Sequence, residues 1–244
     1  MNFLLITDGY FYAVAIPAVL LLGISKSSFG TGFGSLAVPI IALAVTVPQA
    51  AVILMPVLLL MDLLGMAAFR KNFDIALLKF LVPCGLVGTV VGALLFKALD
   101  AKVVAGIVGA FTLLFPPRPD SAPPPRWLGG MLAVTSGFTS FVSHAGGPPI
   151  SAYVIPLRLS PLNFTATLAY FFFVINLSKW VPYAWLSLLD LRNMATSLVL
   201  LPITPVGVWV GVRMAKTISP VLFYRLLYAG VLLTGCKLLW DAFH

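Results

Sequence analysis

Lys26 is the residue with the clearest capacity for chemistry, because of where it falls. It lies in SKSSFGTGFGSLAVP, residues 25–39, which interrupts an apolar run with an ammonium, hydroxyls and glycines at every second position. A lysine at membrane depth needs a counter-charge or a water-filled cavity. Ser25, Ser27, Ser28 and Thr31 offer hydroxyl donors beside it, while Gly30, Gly32 and Gly34 can take positive φ and let a ligand reach the backbone. A helix starting after Gly34 would aim its positive end at the same spot. Together these groups suit an oxyanion. The plainer alternative is a lysine snorkelling from a helix end.

A second break, SHAGGPP at residues 143–149, occupies the corresponding place in the second half. Ser143, His144, Gly146 and Gly147 are its candidate anion-binding residues, and Pro148 and Pro149 suit the first turn of a following helix. His144 could donate to an anion, move a proton or simply bond a neighbouring backbone group. Asp62 and Asn176 fall at equivalent places in the two halves. Asp62 could pair with Lys26 or carry a proton, so it and His144 are the candidates for coupling, with a structural role for Asp62 equally open. Asn176, Tyr170 and Lys179 are weaker candidates, and Lys179, next to Trp180, reads chiefly as an interface marker.

These residues need elements to position them, and composition says what kind. The chain is 61% hydrophobic and 9% charged, against about a quarter charged in globular domains. This is a polytopic all-α membrane protein. Glutamate is absent, and Asp8, Asp74, Asp100, Asp120, Asp190 and Asp241 lie at or near the ends of apolar segments, leaving Asp62 inside one. The net charge of +8 is scattered singly between apolar spans, which fits membrane lipid and topology and gives no nucleic-acid partner. Cys84 and Cys236 have no second ligand near them and read as small core residues. No histidine pair, Glu–His set or buried carboxylate pair is present, so neither an enzyme nor a metal or other cofactor is expected. The alternating glycines follow no soluble strand and lack nucleotide-fold spacing. No basic region and small-residue cleavage site precede the first apolar segment, so no removable signal peptide is expected.

Residues 10–24 are too short to span a bilayer as a helix, and 36–45 form a second short arm after the break. A re-entrant hairpin or a discontinuous helix would satisfy both. Crossings follow at 47–69, 75–96 and 102–115. Residues 116–126, PPRPDSAPPPR, cannot form a helix interior and link two halves, 1–115 and 127–244. The second half repeats the order: arms at 127–142 and 150–157, then spans near 162–180, 190–212 and 220–240. Pro83, Gly88 and Gly92 share their spacing with Pro202, Gly207 and Gly211, a pattern that suits close helix packing. If each half is a broken or re-entrant hairpin plus three transmembrane helices, the repeats are inverted. Arg70, Lys71, Lys79, Arg118, Arg126, Arg158, Arg213 and Lys216 then collect on one side, leaving Lys97, Lys102, Arg192 and Lys237 opposite. The positive-inside rule favours that arrangement, with both termini and the Lys97 loop outside the cytoplasm.

GISKSSFGTGFGSLAVP and SGFTSFVSHAGGPPISAYVIPLRL resemble the two signatures of the TauE/SafE sulfite-exporter family, over essentially the whole chain. The resemblance implies a multi-pass secondary transporter of the bacterial inner membrane. Its substrate would be a sulfur-containing anion, sulfite or a small organosulfonate such as sulfoacetate. It carries over to Lys26, Gly30, Gly32 and Gly34 and to Gly146, Gly147, Pro148 and Pro149. This chain departs at His144, where many relatives have a small residue, and at Ser27, where glycine is common. Alternating access around the two breaks is the expected mechanism, with release aided by water or by a proton on His144 or Asp62. An anion channel using the same helix ends is the alternative, and a homodimer is compatible with either.

Overall fold

Acidic side chains start several of the helices, which explains why so many aspartates mark segment ends. Asp8 accepts from the Tyr10 amide, Asp74 from that of Leu77 and Asp190 from that of Arg192, each satisfying a free N–H of a first turn. Asp100 likewise accepts from the Lys102 amide at 2.8 Å. Thr46 and Gln49 form a reciprocal capping box, and Ser160 caps its helix through the Asn163 amide.

The computed structural model describes residues 5–30, 36–98, 100–114 and 124–243. The helices in chain order are α1 (Gly9–Phe29), α2 (Ala37–Ile41), α3 (Val47–Ala68), α4 (Ile75–Leu95), α5 (Ala101–Leu114), α6 (Arg126–Ser143), α7 (Gly147–Val154), α8 (Pro161–Trp185), α9 (Leu191–Leu200), α10 (Thr204–Thr217) and α11 (Pro220–Phe243). No strand occurs among the described residues. Six stretches there are long and apolar enough to cross a bilayer: α1, α3, α4 with its trailing turn, α8, α9 through α10, and α11. The chain is a multi-pass helical membrane protein. Its outer surface carries apolar groups such as Val87, Leu94, Val181, Leu198 and Trp209, as a lipid solvent requires.

Three expectations change. The first arm does not stop at residue 24: α1 runs on through Ser25–Phe29 and, at 21 residues, is long enough to cross alone. Its polar end stays helical because tertiary partners satisfy it. Ser28 Oγ donates to the Gly211 carbonyl of α10 at 3.2 Å as well as to Ile24 within α1, and Lys26 finds a carboxylate. The helix ends where Gly30 turns left-handed, φ 67°, its N–H donating to the Lys26 carbonyl at 2.9 Å. The crossing expected at 102–115 is α5, 14 residues long and not among the six, whereas the span expected at 190–212 stands as Leu191–Thr217, tightened at Leu201–Ile203, where Pro202 and Pro205 remove backbone donors. Cys84 is half-buried and Cys236 exposed, so neither is a core residue. An apolar neighbourhood in sequence does not separate core from lipid face, since both are apolar.

Glycines set the closest helix contacts. A Cβ at Gly88 would fall on the Val134 carbonyl oxygen and one at Gly137 on that of Gly85, so α4 and α6 touch backbone to backbone. Gly207 lies against Gly23, and a Cβ at Gly211 would come within 2.6 Å of the Ile24 oxygen, giving the same intimacy to α10 and α1. Gly109 and Gly235 bring α5 onto α11 in the same way. The repeated proline–glycine spacing is therefore packing. Each of these pairs joins a helix before the proline-rich segment to one after it, and α3 packs against α8 as well.

Candidate functional site

The polar end of α1, the middle of α3, the end of α6 and the face of α8 carrying Asn176 and Lys179 meet in the interior. Lys26 Nζ sits 2.7 Å from Asp62 Oδ1. Asn176 Nδ2 donates to the other carboxylate oxygen at 2.7 Å. Lys179 Nζ donates to Asn176 Oδ1 at 2.9 Å and to Ser140 Oγ at 2.7 Å. Asn176 and Lys179 share a face because they are three residues apart on one helix. The five side chains form one chain of contacts from α1 to α6, all of them buried, with Asp62 and Lys179 at 0% exposure. The Lys26 ammonium also lies 5.5 Å from the centre of the Phe172 ring.

Such a network is stable only when each charge is paired or hydrogen-bonded, since burying a lone ion costs several kcal/mol. Lys26 and Asp62 meet that condition together. Lys179 meets it with neutral oxygens alone among the described residues.

Around the second break the chain folds tightly on itself. His144 takes a left-handed conformation, φ 54°, and Ala145 N–H donates back to the Thr139 carbonyl. Ser136 Oγ donates to the Gly146 carbonyl at 2.6 Å, and Ser143 Oγ to that of Thr139 at 3.1 Å. A Cβ at Gly146 would come within 2.7 Å of the Ser136 carbonyl oxygen and of Ser140 Cβ. Gly147 opens α7, and Pro148 and Pro149 after it have no N–H to offer. The His144 ring lies 6.4 Å from that of Tyr183, and both ring nitrogens are buried.

Of the residues expected to act, Lys26, Asp62 and Asn176 are brought into direct contact. Ser27 and Ser28 lie against α10 at Gly211. Gly30 is pressed against Leu168. Tyr170 is stacked on Phe73 at 4.3 Å, outside the network. Thr31, Gly32 and Gly34 lie outside the described residues. Lys179 is a correction: it is no interface residue but wholly buried, because Ser140 and Asn176 give its ammonium partners in the core. Ser140 is the member that sequence reasoning missed, and Lys179 was ranked too low. A signal was available, for the 114-residue spacing between Asp62 and Asn176 also takes Lys26 to Ser140, Gly30 to His144 and Gly65 to Lys179.

At one end of the bundle an open cavity of about 530 Å³ lies beside Asp8, Thr46, Gln49 and Arg192. It does not include the buried network.

Residues 15–238 match the family described as Sulfite exporter TauE/SafE. No curated protein and no solved structure matches the chain.

Proposed function

We propose, from the premise that the chain belongs to the Sulfite exporter TauE/SafE family, that it is a secondary transporter moving sulfite or a small organosulfonate across the bacterial inner membrane by alternating access. The observation that carries this reading is the buried network Lys26–Asp62–Asn176–Lys179–Ser140. Charged groups within membrane spans mark substrate and ion pathways, and here the cations outnumber the carboxylate. Lys26 and Lys179 attract the anion, Ser140 and Asn176 orient it, and the ends of α1 and α6 form the walls that separate when access changes.

The two halves, 1–115 and 127–244, act as inverted repeats. Reciprocal packing supports this: α4 on α6 answers α10 on α1, while α3 with α8 and α5 with α11 pair across the centre. Rocking of one group of helices about α3 and α8 would expose the network first to one side and then to the other. Hydration of the opened site weakens the attraction and releases the anion, with His144 or Asp62 as the group that takes up a proton in the cycle.

Sulfite counterflow into proteoliposomes tests this reading. Saturable uptake, accelerated by sulfite on the opposite side and lost in Lys26→Met with the variant still monodisperse in detergent, is the expected result. Uptake that persists in Lys26→Met removes the site. Large non-saturating anion currents would make the protein a channel.

A further inference from the structure

Charge in the buried network is unbalanced by one when its three ionisable side chains are all charged. Lys26, Asp62 and Lys179 are the buried charged side chains among the described residues. Residues 31–35 contain no ionisable side chain. On the neighbouring helices, Lys79 of α4, Arg126 of α6 and Arg213 and Lys216 of α10 are exposed.

Lys26 and Asp62 cancel each other at 2.7 Å. Lys179 does not reach a carboxylate. Its described partners are the neutral oxygens of Ser140 and Asn176, and the Asn176 amide, turned with its NH₂ toward Asp62, stands between the second ammonium and the acid. Two of the three N–H bonds of Lys179 are used by those partners, leaving one. The spacing that relates the halves explains the asymmetry: Lys26 is answered by Ser140, and Gly65 by Lys179, so each half contributes one cation and only the first contributes an acid.

We infer that the site is built for a single negative charge, with Lys179 as the cation that meets it. This rests on the anion-transport reading above and narrows its substrate. A monoanion against Lys179 makes the buried network neutral, whereas a dianion leaves one uncompensated negative charge in a low-dielectric interior, where such charges are expensive. Hydrogensulfite or a simple alkyl sulfonate fits. Sulfite dianion, sulfate and sulfoacetate, which carries two anionic groups, do not.

The test uses the full-length purified chain and two probes of fixed charge, methanesulfonate with one negative charge and sulfate with two. Isothermal titration of the wild type is expected to give methanesulfonate at least tenfold tighter binding than sulfate. Asp62→Asn, which adds one net positive charge, reverses that order. Lys179→Gln weakens methanesulfonate at least tenfold, and Lys179→Arg retains it. Wild type preferring sulfate, Asp62→Asn leaving the ratio unchanged, or Lys179→Gln binding methanesulfonate as the wild type does each overturns the inference. If Asp62→Asn does not fold, the wild-type ratio and the two Lys179 variants decide. Failure of the transport reading shows separately, as absence of sulfite counterflow in the wild type.

Discussion

Asp62 of α3 joins α1 to α8 at the level of single atoms, accepting from Lys26 with one oxygen and from Asn176 with the other. Removing one member of a buried ion pair strands its partner and costs about 3–5 kcal/mol, while replacing both by apolar groups is often neutral. Asp62→Asn is therefore expected to lower the unfolding temperature in detergent, and Lys26→Met combined with Asp62→Leu to recover most of that loss without recovering transport. A double variant less stable than Asp62→Asn would show that the pair is not coupled as described. Lys26 was legible from sequence because it breaks an apolar run, and Asp62 because it is the one acid inside such a run. Lys179 was not, since its neighbour Trp180 suggests a headgroup position and its true partner Ser140 is 39 residues away. Local composition shows that a charge is present, not what it pairs with.

Helix pairs in this protein are held by shape. With lipid as apolar as leucine, close approach of small residues replaces the hydrophobic effect as the source of helix association. Gly88→Ala would put a methyl group onto the Val134 carbonyl and force α4 away from α6; the expected cost is about 1–3 kcal/mol, read as a fall in thermal stability in detergent. Gly9→Ala, with open space around it, is the matched control and should change nothing. Equal stability of Gly88→Ala and Gly9→Ala would contradict the packing account. The paired proline–glycine spacings made these contacts readable in advance. The full length of α1 was hidden because serines and a lysine look like a break until their bonding partners, Ile24, Gly211 and Asp62, are in place.

At the scale of the whole molecule, the inverted-repeat proposal makes a claim about topology. It requires an odd number of crossings in each half, so that the segment joining the halves lies opposite both termini. In a Cys84→Ser, Cys236→Ser background, single cysteines at positions 8 and 120 should react with a membrane-impermeant maleimide from opposite faces. Labelling from the same face would mean an even number of crossings per half and would exclude inversion. Five of the six apolar spans could be read from composition because a bilayer imposes length and hydropathy on any helix that crosses it, but α1 was read as too short and the 14-residue α5 as a crossing. Which face of a span meets lipid could not, as Cys236 shows, because core and lipid make the same demand on a side chain.

The most direct test of the central claim is to locate the anion. Selenite is the heavier congener of sulfite, and its selenium can be found by anomalous scattering in crystals of the full chain grown with it. The account predicts a selenium peak in contact with the Lys179 ammonium and close to Lys26, absent in Lys179→Gln. A peak confined to the open cavity beside Arg192, or one beside Lys26 that is indifferent to Lys179, would contradict it.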